Sequence, residues 1–222
     1  MDKINDLRIY NPNECAVFCK VKERFGGNSN MAGGFPVVVN NIRIRTIEAL
    51  YQACRFPDHG EIQRDIIKQV SPMSAKMVTK PYRKTLTRND WELVKITLMK
   101  WCLRVKLLQN WESFSRVLLE TDGLPIVEKS TKGDDFWGAV VVKEIEVSEK
   151  KSKKKLPKYP PSEKMPVGFL VGYNVLGRIE MELRENVKTG IDEFSQNFTR
   201  LEPLPIHDFL LFGQPIREIL RK

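Results

Sequence analysis

The residues that could do chemistry fall in a few short stretches, and the first centres on Glu48, followed by Tyr51 and Gln52. If "TIEALYQACRF", Thr46 to Phe56, is helical, this spacing puts an acid, a phenol and an amide on one face, where they could converge on one ligand. A glutamate in the first turn also complements the helix macrodipole with no further role. The second stretch is "GDDFWG", Gly133 to Gly138. Glycines let backbone approach a ligand, Phe136 and Trp137 offer flat faces for a base, and Asp135 could bond a sugar or stabilise a cation. The alternative is a polar turn before a strand, with Trp137 entering the core.

Three further stretches carry polar groups. "GGNSNMAGGF" supplies the amides of Asn28 and Asn30 but matches neither GxxxxGK[ST] nor GxGxxG, so it is neither a P-loop nor a dinucleotide fingerprint. It could still wrap a ligand. "GYNVLG" offers Asn174, either as cap of the last helix or, with that helix's N-terminus, as a holder of phosphate. Lys76, Arg83 and Lys84 add positive charge. A crowded lysine whose pKa falls can attack a sugar aldehyde, whereas most lysines are solvated charges.

Positioning these groups requires mainly helices. Helical spacing runs through Thr46 to Phe56 with Thr46 as cap, and again through "EIQRDIIKQV". "SPMSAKM" starts a third helix, with Ser71 as N-cap and Pro72 at its first position. The strongest periodicity is Trp91, Val94, Leu98, Trp101, Val105 and Leu108, a long amphipathic helix opened by Thr87 or Asn89. Trp111 to Leu119 and "NVLGRIEMELREN" are also helical. "DLRIY", "FPVVV", "IRIR", the end of "TDGLPIVEKS" and "AVVVKEIEV" read as strands. The expected fold class is α+β, a mainly helical single domain with a small sheet. Its catalytic domain spans residues 1–189, with a lysine-rich excursion at 148–166, and residues 190–222 form an extension that docks or makes an oligomer contact.

The chain has 222 residues, 41% of them hydrophobic, enough for a real core. No apolar run reaches the ~20 residues of a membrane span and the start lacks a signal-type segment, so the expected compartment is the cytoplasm, away from membranes. The four cysteines and two histidines lack metal-ligand spacing, so reduced thiols are expected, with no metal. Net charge is +9, but Lys150, Lys151, Lys153, Lys154, Lys155 and Lys158 in "EKKSKKKLPKYPPSEK" account for two thirds of it. A solvated loop tip or an arm that grips phosphate would both explain them.

In order, "SNMAGGFP" (29–36), "IEALYQACRF" (47–56), "SPMSAK" (71–76), "RNDW" (88–91), "DDFWG" (134–138) and "GYNVLG" (172–177) resemble the NADAR family. The resemblance implies a compact, mainly helical α+β fold and hydrolysis of N-glycosidic bonds to ribose, without a cofactor. Some members cleave phosphorylated intermediates of riboflavin synthesis. Others remove ADP-ribose from guanine in nucleic acid, opposing an ADP-ribosylating toxin, and the positive charge favours this substrate.

By the same resemblance Glu48 is the leading catalytic carboxylate, Asp135 orients the ribose, and Lys76 offers a covalent alternative through a Schiff base. Asn30, Tyr51, Gln52, Arg83, Trp137 and Asn174 are the expected ligand contacts. Ala49 and Leu50 replace the family's usual histidine and phenylalanine, and Lys76 stands where some relatives have arginine. Two rivals remain. One is a module that binds ADP-ribose or NAD without cleaving it. The other is an interaction protein working through its basic segment and tail.

Overall fold

The structure is a computed structural model that describes residues 6–144, 158–190 and 198–221. In chain order its elements are β1 (Arg8–Tyr10), β2 (Ala16–Phe18), β3 (Val37–Val39), β4 (Ile42–Ile44), α1 (Ile47–Ala53), α2 (Gly60–Ile67) and α3 (Pro72–Val78). Then come α4 (Trp91–Gln109), α5 (Trp111–Leu119), β5 (Ile126–Glu128), β6 (Val140–Val141), β7 (Leu170–Gly172) and α6 (Val175–Thr189). Four short strands close the chain: β8 (Arg200–Leu201), β9 (Leu210–Leu211), β10 (Gln214–Pro215) and β11 (Ile219–Leu220).

Caps set several helix starts as the sequence implies. Thr46 Oγ1 accepts from the Ala49 N–H at 3.3 Å, and Ser71 Oγ accepts from Ser74 at 3.4 Å with Pro72 next in the chain. The start of α4 differs from expectation. Asp90, not Thr87 or Asn89, holds the cap position, and its carboxylate is taken by the Arg88 guanidinium at 2.5 and 2.9 Å. Thr87 instead donates its hydroxyl proton to the Arg83 carbonyl.

Helix α4 is the axis of the core. Its predicted stripe is buried at Trp91, Leu98, Trp101, Val105 and Leu108, but Met99, Cys102, Leu103, Lys106 and Leu107 are buried too. Other elements therefore cover most of its second half. Lys106 is accommodated there by donating to the Gly27 carbonyl at 2.9 Å and by the Phe114 ring 3.8 Å from its ammonium. Burial pushes its amine down to about 7, against the opposing pull of Glu180.

The strands are divided among small sheets. β1, β7 and β6 form an antiparallel sheet in the order β1-β7-β6, while β2, not foreseen from the sequence, pairs parallel with β5. β3–β4 is a hairpin turned by Asn40 and Asn41, both at positive φ, the two-residue geometry that suits strand twist. The expected strand from Ala139 onward shortens to Val140–Val141; residues 145–147 and most of the lysine-rich run lie outside the described residues.

After residue 197 the chain returns to the same core through Phe198, Leu201, Phe209, Leu211, Ile216 and Ile219. Arg88 fastens this return by donating to the His207 carbonyl at 2.6 Å, and the Trp101 indole donates to the Glu202 carbonyl. Among the described residues no helix is long and apolar enough to cross a membrane.

Candidate active site

A cavity of about 430 Å³ opens where α1, α3 and the loops after β2 and β5 meet. Glu48, Tyr51 and Gln52 of α1, continued by Arg55 in the turn after it, contribute one face at helical spacing. Glu48 is 5% exposed, and its Oε1 accepts from Gln52 Nε2 at 3.0 Å and lies 3.7 Å from Lys76 Nζ of α3. Its backbone N–H donates to the Asn30 carbonyl, which ties the glycine-rich loop to the start of α1.

Aromatic walls flank this face. The Tyr51 ring lies 5.1 Å from Trp91 and 5.6 Å, edge to face, from Trp137. The Arg55 guanidinium stacks over Trp91 at 4.1 Å, and burial lowers its pKa. Arg83 donates to Thr79 Oγ1 at 2.8 Å and to the Lys76 carbonyl at 2.9 Å, so one cation braces the end of α3 while lining the cavity.

Four residues of the lining each carry a buried polar atom without a hydrogen-bond partner: Asn30 Oδ1, the Tyr51 hydroxyl, Gln52 Oε1 and Arg55 Nε. Buried polar atoms are normally satisfied, so four orphans around one hollow mark a place built for a polar ligand. The Gln52 orphan follows from Glu48: its amide N–H is spent on that carboxylate, which leaves Oε1 as an acceptor.

This geometry can be set beside known proteins. Residues 15–188 match the NADAR domain model. The chain belongs to the NADAR domain family. It is similar to N-glycosidase YbiA of Escherichia coli (strain K12), 35% identical over 122 residues, which cover 54% of this chain and 72% of that protein. The YbiA of Shigella boydii serotype 4 is alike to the same degree. The NMR structure of E. coli YbiA superposes with a TM-score of 0.54 at 28% identity, covering 78% of this chain and 84% of that one. The α+β fold is thus that of a NADAR domain.

Of the residues singled out beforehand, Asn30, Glu48, Tyr51, Gln52, Lys76, Arg83 and Trp137 meet at this cavity. Asp135 and Asn174 lie outside its lining. The Asp135 carboxylate instead pairs with Lys158 at 2.6 Å and accepts from the Tyr159 hydroxyl, and these bonds hold its pKa below the usual range despite desolvation. Its neighbour Asp134 lines the cavity instead and accepts from the Phe136 and Trp137 N–H groups at 3.1 Å each.

Asn174 is fully buried at φ +50. Its Oδ1 accepts from the Glu128 N–H, and its amide donates to the Ile126 carbonyl and the Tyr10 hydroxyl. At the start of α6 the N–H groups of Asn174, Val175 and Leu176 are taken, donating to the carbonyls of Gly138, Phe136 and Trp137. A phosphate there would have to displace those bonds. The "GDDFWG" loop is thus a cap on α6, and Gly138 permits the approach: a Cβ there would sit 2.4 Å from the Glu128 carbonyl.

Glu128 itself was not foreseen. It ends β5, partly buried on the cavity wall, and desolvation first, then the charge of Glu48, pushes its carboxyl up to about 7 while Lys76 opposes the shift. The available signal was its strand register, two residues beyond the buried Ile126 and so on the same face. Arg55 was legible in the same way, one helical turn beyond Tyr51.

Proposed function

We propose that the protein is an N-glycosidase that hydrolyses the bond between ribose C1′ and a nucleobase, acting on ADP-ribose joined to guanine in nucleic acid. The observation that carries this reading is the buried Glu48, fixed by Gln52 and facing Lys76, in a cavity shared with a second carboxyl group, Glu128. Membership of a family with relatives named N-glycosidases supports the reaction class.

Breaking the bond leaves positive charge on C1′ and negative charge on the leaving nitrogen. Two carboxyl groups in one cavity suit the two needs. Glu128, raised to about 7, keeps its proton in roughly half of the molecules at neutral pH and in that form delivers it to the leaving nitrogen. Glu48 stabilises the cationic sugar and accepts a proton from the water whose oxygen adds to C1′. The products are a base carrying N–H and a ribose with a C1′ hydroxyl, so no atoms are left over.

Asn30 Oδ1 and Gln52 Oε1 accept from ribose hydroxyls, Trp137 and Tyr51 flank the base, and Lys76 and Arg83 hold phosphate. Lys76, Arg83, Lys129 and Lys132 around one cavity favour a polyanionic substrate over a small neutral one. An ADP-ribosylating toxin would then be the functional counterpart.

The test is a time course on guanine-ADP-ribosylated DNA beside the phosphorylated pyrimidine intermediates of riboflavin synthesis, read by mass spectrometry. The protein should release ADP-ribose from DNA, steeply less at high salt. Glu48→Gln should slow that release by at least about 100-fold while staying folded. Turnover of the pyrimidines alone would replace the substrate. Silence on all of them would leave a module that binds ADP-ribose without cleaving it.

A further inference from the structure

A groove leaves the candidate active site on the side of Met31 and runs to the far end of α2. Met31 lines both the cavity and a neighbouring cleft of about 340 Å³ floored by Gly33, Gly34 and Pro72. Arg43 of β4 and Arg45 just after that strand line that cleft and also a third hollow of about 550 Å³, completed by Arg64, Lys68 and Phe212. The three hollows therefore share walls.

The far hollow is strongly basic. Arg43, Arg45 and Arg64 are exposed and face no carboxylate within ion-pair distance among the described residues, while Lys68 pairs with Asp65 of its own helix at 2.5 Å. Unpaired guanidinium groups that flank one hollow repel each other, so they favour an anion between them.

Phe212 supplies an independent observation. It occupies the first turn position of the β9–β10 hairpin at φ +55, followed by Gly213 at φ +75. The β3–β4 hairpin fills the same two positions with Asn40 and Asn41, residues that tolerate this backbone, whereas a bulky aromatic there is an outlier. The strain is held in place. The Phe212 N–H donates to Gln63 Oε1 at 2.6 Å, and the fully buried Gln63 amide donates to the Leu210 and Ala53 carbonyls. The result is a half-buried ring with the Arg64 guanidinium 5.1 Å from its centre, at the edge of the arginine hollow.

We infer that this groove is a second binding surface, which holds a single-stranded nucleic acid running from the cavity to Phe212. Arg43, Arg45 and Arg64 would grip its phosphates, and Phe212 would stack on one of its bases. The arginines alone would equally fit an acidic peptide. An aromatic face kept at a conformational penalty beside them favours a ligand in which flat rings alternate with phosphates. The inference rests on the proposed function only in placing the modified nucleotide in the cavity.

The test is fluorescence anisotropy of an unmodified, labelled single-stranded oligonucleotide, with every variant built on Glu48→Gln so that no turnover intervenes. Replacing Arg43, Arg45 and Arg64 together by alanine should lower the slope of log affinity against log salt by about 2, at about 0.7 per lost phosphate contact. A control with the same net charge replaces the exposed Lys22, Arg116 and Lys164, none of which lines the groove. Phe212→Asn should weaken binding about tenfold, while its unfolding temperature holds or rises because asparagine accepts this backbone more readily. Equal slopes for the arginine triple and its control would overturn the groove, as would equal displacement of the strand by poly-glutamate. Loss of the groove beside intact hydrolysis in the Glu48 protein would leave the proposed function standing. Absent hydrolysis beside intact groove binding would remove the proposed function and keep the groove.

Discussion

Replacing Glu128 by glutamine separates its electrostatic burden from its proposed chemistry. The carboxyl is raised from 4.5 to about 7, chiefly by desolvation and then by Glu48. Between those values the folded protein holds a proton that the unfolded chain has lost, so stability falls as pH rises. The penalty is absent below about 4.5 and complete above about 7. Its size is about 3 kcal/mol at most, since the group is only partly buried and solvent screens part of the effect. Glutamine has nearly the same shape and never ionises, so the variant should match the parent near pH 4.5 and exceed it at pH 8. In a domain of this size the gap is up to about 6 to 12 °C in unfolding temperature.

The assay is urea and thermal unfolding of both proteins from pH 4.5 to 8.5. Lys106, also buried and pH-linked, is present in both and cancels in the difference, while Glu180, whose raised carboxyl carries a smaller contribution from the charge of Glu128, adds to the same trend. A difference that stays constant across this range would refute the assignment. The activity should move the other way. The parent's kcat/KM should decline as pH passes about 7 and Glu128 loses its proton, whereas the variant should be slow throughout.

Two further outcomes follow from the same geometry. Borohydride added during turnover should trap no sugar on Lys76, and Lys76→Arg should stay within about tenfold of the parent rate, because its proposed role is to hold charge beside Glu48. A trapped adduct at Lys76 would replace the water route with a Schiff base. Arg88→Ala should lower the urea-derived stability by about 2–3 kcal/mol and speed proteolysis after residue 197, since it removes the charged donor that fastens His207. Unchanged proteolysis would mean that the apolar contacts alone dock this part of the chain.

What was legible in the sequence was local. Thr46, Ser71 and Pro72 announce helix starts because a cap acts within three residues, and the α1 face through Glu48, Tyr51 and Gln52 follows from helical spacing alone. The NADAR motifs were legible as an ordered set. Direction at turns was not. In "GDDFWG" the two aspartates are neighbours with the same chemistry, yet Asp134 meets the cavity while Asp135 meets Lys158 and Tyr159, residues more than twenty positions away.

Asn174 shows the same limit. Its place before a helix suggested a cap or a phosphate contact, but a positive φ directs its amide to β5 and Tyr10, partners 46 to 164 residues distant. Glu128 becomes a candidate acid only because the fold buries it near Glu48 and so raises its pKa. Phe212 reaches Arg43 and Arg45 only because the end of the chain returns across α2 and is held there by Gln63. The sequence by itself determined the helices, the caps of α1 and α3 and the polar face of α1, since those depend on neighbours along the chain. Only the tertiary structure decided which acids share the cavity, because proximity and desolvation are properties of segments packed together.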